Sequence, residues 1–256
     1  MAAIDEPFAS GDSFIHTVDP RIRLLCAVML TVPAALFTNM DQACAALAVG
    51  FILVSAARLP IGLVVKRLAV VNLFVLFLWL FVPFSLPGEA AFTAGPLAIT
   101  REGIGLAALI SVKSNAVVLG LMALMGTIPL RDLGPALQQL RVPDKLCHIL
   151  LFTYRYIFVI HQEYLTMRRA MAARGFRPKT NRHTYRSYAW LVGMLLIKSW
   201  DRAERVYGAM RCRGFRDRFY SLTTFTSASK DYLFLALCLA AVIGMESLDV
   251  IRSHFS

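Results

Sequence analysis

The sequence predicts an all-α integral membrane protein with about five transmembrane helices and a separate block of basic, amphipathic helices. Three observations carry this. The chain of 256 residues is 57% hydrophobic and 17% charged, with a mean hydropathy of +0.60; an ordinary soluble domain has about 45–50% apolar and about 25% charged residues. The apolar excess lies in long runs close to the roughly 20 residues needed to cross a hydrocarbon core. The positive charge is equally concentrated: the window 151–220 holds fifteen Lys/Arg and four Asp/Glu, a surplus of +11 that equals the net charge of the whole chain.

Taken in order, the N-terminal stretch "MAAIDEPFASGDSFIHTVDP" is acidic and polar, and without a basic region before an apolar core it does not read as a signal peptide. The first span is predicted over 22–38, opened by Asp19 as N-cap and Pro20 in the first turn, where its missing N–H costs nothing. The second is predicted over 41–57, the third over 68–86, the fourth over about 103–126 and the last over about 232–247. Basic residues near span ends stay in the cytoplasm. This rule puts the basic block, the 58–67 segment "RLPIGLVVKR" and the N-terminus inside, and the nearly uncharged 87–102 loop outside. Two apolar patches inside the block, 145–160 and 189–200, are short. Driven through the bilayer as a hairpin they would carry seven basic residues to the outside, so they read as amphipathic helices under or partly in the inner leaflet. The expected divisions are therefore 1–126, the tail and four-helix transmembrane bundle; 127–230, the cytoplasmic helical block; and 231–256, the last transmembrane helix and a short tail.

The block contains a near-repeat. "AMAARGFR" at 170–177 and "AMRCRGFR" at 209–216 match at six of eight positions, offset by 39 residues, each ending a proline-free helical run, about 144–174 and 184–213. With Gly175 and Gly214 as the left-handed C′ residues, Phe176 and Phe215 become C″ and Met171 and Met210 become C3, the arrangement of a Schellman stop. Methionine, glycine and phenylalanine are then accounted for by helix termination. Arg174 and Arg213 are left at the Ccap. A cation there complements the negative end of the helix dipole, and that alone is a sufficient structural reason for one of them. Two equivalent cationic tips suggest a plug meeting two equivalent sockets, and the planar arginine fork suits a socket lined by carboxylates.

The pair Ala173-Arg174-Gly175 and Cys212-Arg213-Gly214 resembles the two Ala-Arg-Gly signatures of the transmembrane (T) component of energy-coupling factor (ECF) transporters. "HTVDPRIRLL" resembles that family's N-terminal His-x-x-Asp-Pro-Arg segment, and the resemblance covers essentially the whole chain, most closely the CbiQ-type cobalt/nickel subgroup. The chain departs from the pattern at Cys212, where alanine is usual, and at Arg23, where lysine is frequent. The resemblance implies an L-shaped T-component architecture with coupling helices in the bacterial inner membrane. It also implies two ATP-binding-cassette ATPase subunits gripping Arg174 and Arg213, a separate substrate-capture (S) subunit, and a role in cobalt or nickel transport and cobalamin biosynthesis. ATP and magnesium would sit on the partners. The chain has no G-x-x-x-x-G-K-[ST] loop and no nucleophile–base pair or metal-ligand spacing to assign, so no catalytic residue, cofactor or metal is expected on it.

Arg177 and Arg216, in phase with the tips, are candidate flanking ATPase contacts; attraction to anionic lipid accounts for most other arginines of the block. In the fourth span Lys113, Ser114 and Asn115, with Ser111, form a polar knot that is a candidate capture-subunit interface or a bundle hydrogen-bond network. Ala116, Gly120 and Ala123 would allow close helix approach. The alternatives are a conventional ABC importer permease, which normally offers one coupling segment per chain, and a membrane-tethered nucleic-acid binder. The interleaving of the basic residues with apolar faces and the absence of a nucleic-acid motif argue against the second.

Overall fold

The computed structural model describes residues 8, 11, 13–85, 90–94, 97–216, 225 and 228–255. The described chain is helical apart from one short hairpin: α1 (Phe14–Thr17), α2 (Pro20–Leu36), α3 (Met40–Ala56), α4 (Ile61–Ser85), β1 (Ala90–Ala94), β2 (Leu97–Thr100), α5 (Arg101–Leu124), α6 (Leu130–Gln139), α7 (Asp144–Ala173), α8 (Arg182–Cys212) and α9 (Ser229–Phe255). It divides into two compact units, 6–133 with 225–256, and 1–5 with 134–224.

In the first unit, α4 and α5 are each long and apolar enough to cross a membrane, and α3 is a shorter apolar helix. Asp19 caps α2 as its sequence predicts, accepting a hydrogen bond from the Arg21 amide with Pro20 in the first turn. The core joins Cys26, Ala27 and Leu30 of α2, Ala46 and Leu53 of α3, Ala116, Leu119 and Ala123 of α5, and Phe234 and Cys238 of α9. Small residues set the helix spacing. A Cβ on Gly50 of α3 would stand 3.1 Å from the Leu119 Cβ, and one on Gly120 would stand 3.5 Å from the Thr31 methyl of α2. The expectation for Ala116, Gly120 and Ala123 holds: both alanines are buried and the glycine lies against α2.

Three boundaries differ from the sequence reading, one of them that of α9, which runs Ser229–Phe255 where the last span was expected over about 232–247. The helix of the third expected span, α4, begins at Ile61, so Lys66 and Arg67 lie in its first two turns and the loop shrinks to 57–60. Long cationic side chains keep their heads in water while their stems cover apolar surface, so charge alone does not break a helix there. The 87–102 segment carries an antiparallel hairpin, with Thr93 opposite Ala98 and Ala94 opposite Leu97, and α5 starts at Arg101.

The N-terminal motif ties the two ends of this unit together. The Asp19 amide donates to Asp231 Oδ1 at 3.2 Å, and the Ala228 amide donates to Asp231 Oδ2 at 2.8 Å. Arg21 Nη2 pairs with Asp19 Oδ2 at 2.6 Å and donates to the Phe225 carbonyl at 3.1 Å. Arg23, 3% exposed, donates to the Thr127 carbonyl at 3.1 Å. The Asp-Pro-Arg part of the motif is thus a clasp between the start of α2 and the start of α9, while His16 bonds locally to Ser13 and the Phe8 carbonyl.

In the second unit, α7 and α8 are 30 and 31 residues long, and they cross at a three-way ion pair. Glu163 of α7 accepts from Lys198 Nζ at 3.0 Å and from Arg202 Nη2 at 2.9 Å. Lys198 and Arg202 are one turn apart on the same face of α8, so a single carboxylate meets both.

Candidate functional site

The two arginine tips form as their sequence predicts. α7 ends with Arg174 as Ccap at φ −83, followed by Gly175 at φ +78. The Gly175 amide donates to the Ala172 carbonyl at 3.0 Å and the Phe176 amide to the Met171 carbonyl at 3.1 Å. α8 ends in the same way, with Arg213 as Ccap at φ −89 and Gly214 at φ +81. There the Gly214 amide donates to the Arg211 carbonyl at 3.0 Å and the Phe215 amide to the Met210 carbonyl at 3.1 Å. Both ends are Schellman stops, with C″ bonded to C3 and C′ to C2. A β-carbon at either glycine would meet nothing within 4 Å. Glycine is required there by backbone conformation and not by crowding.

Each stop turns its phenylalanine inward and leaves its arginine outward. Phe176 is half-buried, its ring centroid 6.1 Å from that of His183 and 5.9 Å from that of Tyr188 at the start of α8. Phe215 and Met210 line an apolar groove of about 580 Å³ against Phe152, Tyr156 and Ile160 of α7. Arg174 and Arg213 are exposed. Among the described residues neither guanidinium has an ion-pair or hydrogen-bond partner. Arg177 and Arg216, three residues beyond each tip, are exposed as well, and Cys212 is a free, exposed thiol beside Arg213.

The spacing of the tips follows from the helices. The first is anchored beside Tyr188 through Phe176, and the second lies 25 residues further along α8. At 1.5 Å per residue they are roughly 40 Å apart. Two cations at that distance cannot serve one small-molecule site.

Glu163 was invisible as a site residue in the sequence, where it counted only as one of four acids. Its carboxylate is held below the ordinary range, first by the hydrogen bond from Lys198, then by the charges of Lys198 and Arg202. The i,i+4 spacing of Lys198 and Arg202 was the available signal. Arg202, one of the block arginines that the sequence reading assigned for the most part to anionic lipid, is committed to this crossing.

The polar knot of α5 divides. Asn115 and Asn72 of α4 exchange amide hydrogen bonds at 2.9 and 3.0 Å, and Trp79 Nε1–H donates to Ser111 Oγ at 2.9 Å. Asn115 and Ser111 therefore form an intrachain ladder between α4 and α5. The structure brings neither Lys113 nor Ser114 into it. Among the described residues no cluster of His, Cys, Asp or Glu could hold a metal ion.

Comparison with known proteins adds an independent line. The sequence profile of a family described as cobalt transport protein, CbiQ, matches residues 11–223. A cobalt transport protein CbiQ of Rhodobacter capsulatus is 35% identical over 152 residues, 57% of this chain and 62% of that protein. A nickel permease LarQ of Lactiplantibacillus plantarum is 33% identical over 110 residues, 43% of this chain and 40% of the permease. An energy-coupling factor transporter transmembrane protein EcfT of Heliobacterium modesticaldum is 26% identical over 215 residues, 80% of this chain and 81% of its own length. The chain thus spans less than two thirds of the cobalt and nickel relatives and about four fifths of the energy-coupling one.

Proposed function

This chain belongs to the CbiQ cobalt transport protein family, and from that premise we propose that it is the energy-coupling transmembrane subunit of an ATP-driven ECF-type importer for cobalt or nickel ions. Two ATP-binding-cassette subunits, carrying ATP and magnesium, grip Arg174 and Arg213. A separate capture subunit in the bacterial inner membrane takes the ion. The basic block and the N-terminus face the cytoplasm, with about five helices crossing the bilayer.

The observation that carries this reading is the matched pair of exposed arginines on identical helix stops, roughly 40 Å apart by the length of α8. A tip whose hydrophobic residue is packed inward and whose cation has no described partner is suited to insertion into an acidic groove. The guanidinium can donate two parallel hydrogen bonds to one carboxylate, one N–H to each oxygen. Glu163 supports the mechanical part: its bonds to Lys198 and Arg202 tie α7 to α8, so displacement of one helix pulls on the other.

Charge reversal at both tips, Arg174→Glu with Arg213→Glu, tests the reading. Membrane insertion stays intact, while ATPase co-purification and ion uptake are lost. Full-yield co-purification by the double variant would overturn it.

A further inference from the structure

The chain stops α3 with an arginine where it stops α7 and α8 with glycine. Arg58 has φ +50, in the left-handed region. Its amide donates to the Ser55 carbonyl at 3.0 Å and the Leu59 amide points to the Val54 carbonyl at 3.5 Å. The backbone path is that of the two tips, where glycine adopts it without steric cost. A left-handed arginine is therefore a local departure that the turn itself does not ask for.

Arg58 lines an open cleft of about 790 Å³ together with Ser13, Phe14, Phe51, Ile52 and Ser55. Among the described residues no carboxylate lines that cleft, and the Arg58 guanidinium has no ion-pair or hydrogen-bond partner there. Ser13 is committed elsewhere: His16 Nε2 lies 2.8 Å from the Phe8 carbonyl and must donate to it, so Nδ1 accepts the Ser13 hydroxyl at 2.7 Å. Among the described residues the donors left to the cleft are Arg58 and the Ser55 hydroxyl.

The position along α3 identifies the level. Residues 42–57 carry no charge and Arg58 is the first cation after them, so Arg58 sits where an apolar helix meets water. Phe51 and Ile52, 54% and 66% exposed, continue the wall of the cleft one to two turns into the apolar run. A cationic fork and a hydroxyl at the boundary, with an aromatic and aliphatic wall running inward, match the two halves of a phospholipid. The fork suits the phosphate and the wall suits the first part of an acyl chain.

We propose that this cleft is a binding site for an anionic phospholipid of the surrounding leaflet, with Arg58 as the phosphate ligand. The site is independent of the ATPase reading and requires only that α3 lie in the bilayer.

Arg58→Gly is the discriminating variant, because it removes the cation and supplies the residue that the left-handed turn prefers, so the fold is kept. Full-length chain is purified in detergent, stripped of lipid and titrated with phosphatidylglycerol or phosphatidylcholine, with bound lipid counted by native mass spectrometry. The wild-type chain retains one phosphatidylglycerol above the phosphatidylcholine background. Arg58→Gly loses about tenfold of that affinity, as expected for a charge-assisted hydrogen bond. Arg141→Gly, at the other left-handed arginine (φ +64) and outside the cleft, leaves it unchanged. Equal retention by Arg58→Gly overturns the proposal, and so does an equal loss from Arg141→Gly, which would make the effect one of net charge. Millimolar inorganic phosphate is expected not to displace the lipid; displacement would show a free-anion site and overturn the lipid assignment.

Discussion

Replacing Gly214 by alanine isolates the conformational requirement of the second tip. Gly214 sits at φ +81 with nothing within 4 Å of a built Cβ, so the methyl group meets no neighbour and the whole effect lies in the backbone. An L-residue in the left-handed region costs about 1–2 kcal/mol, which corresponds to about a 5- to 30-fold larger opening equilibrium at that helix end. The amides that report it are those of Gly214 and Phe215, bonded to the Arg211 and Met210 carbonyls. Hydrogen exchange by mass spectrometry, read on a peptide ending near residue 216, should accelerate by that factor. Gly208, six residues earlier in the same helix and equally uncrowded, provides the opposite sign. There Gly208→Ala should stabilise by about 0.5–1 kcal/mol and slow exchange by roughly two- to fivefold. ATPase affinity should fall for Gly214→Ala, with total charge unchanged, and should not fall for Gly208→Ala. Unchanged exchange in Gly214→Ala would refute the claim that the left-handed glycine holds the tip in place.

Two further outcomes follow from the packing. Glu163 has a lowered pKa from Lys198 and Arg202, so its contribution to the α7–α8 crossing is present above the ordinary carboxylate range and is lost as pH falls through its depressed value. Spin-label distances across the crossing should lengthen in that acidic window, Glu163→Gln should show the longer distance already at pH 7, and a pH-independent distance would contradict the clasp. Asn72→Leu leaves the Asn115 amide without the partner it has at 2.9 and 3.0 Å, at a cost of about 0.6–2 kcal/mol in a membrane setting. The double variant with Asn115→Leu should recover part of that in a thermal-shift cycle, and strictly additive losses would count against the pair.

The features legible in the sequence were those written into local backbone chemistry. Asp19 and Pro20 announce the start of α2, and Gly175 and Gly214 announce the ends of α7 and α8, because caps and left-handed stops are chosen by the residues that occupy them. The α4 start was misplaced because Lys66 and Arg67 were weighed as charges, although their long stems allow a helix to continue beneath them. Tertiary pairs were hidden for a different reason. Asn72 meets Asn115 across 43 positions, and Glu163 meets Arg202 across 39, and a single chain's composition does not record which faces turn toward each other. Arg58 was counted from sequence as one more cytoplasmic cation; only its φ distinguishes it. The polar knot at 111–115 split for a geometric reason, since residues 111 and 115 share a helix face and 113 does not.

The central claim is that each arginine tip is held by its own ATPase subunit. Photo-crosslinkers placed at Ala173 and at Cys212, the equivalent positions beside Arg174 and Arg213, test it within the assembled transporter. Each position alone should give an adduct with one ATP-binding subunit, and the two together should give one chain joined to two such subunits. Adducts with lipid or with the chain itself, while ATPase subunits remain bound, would contradict the account.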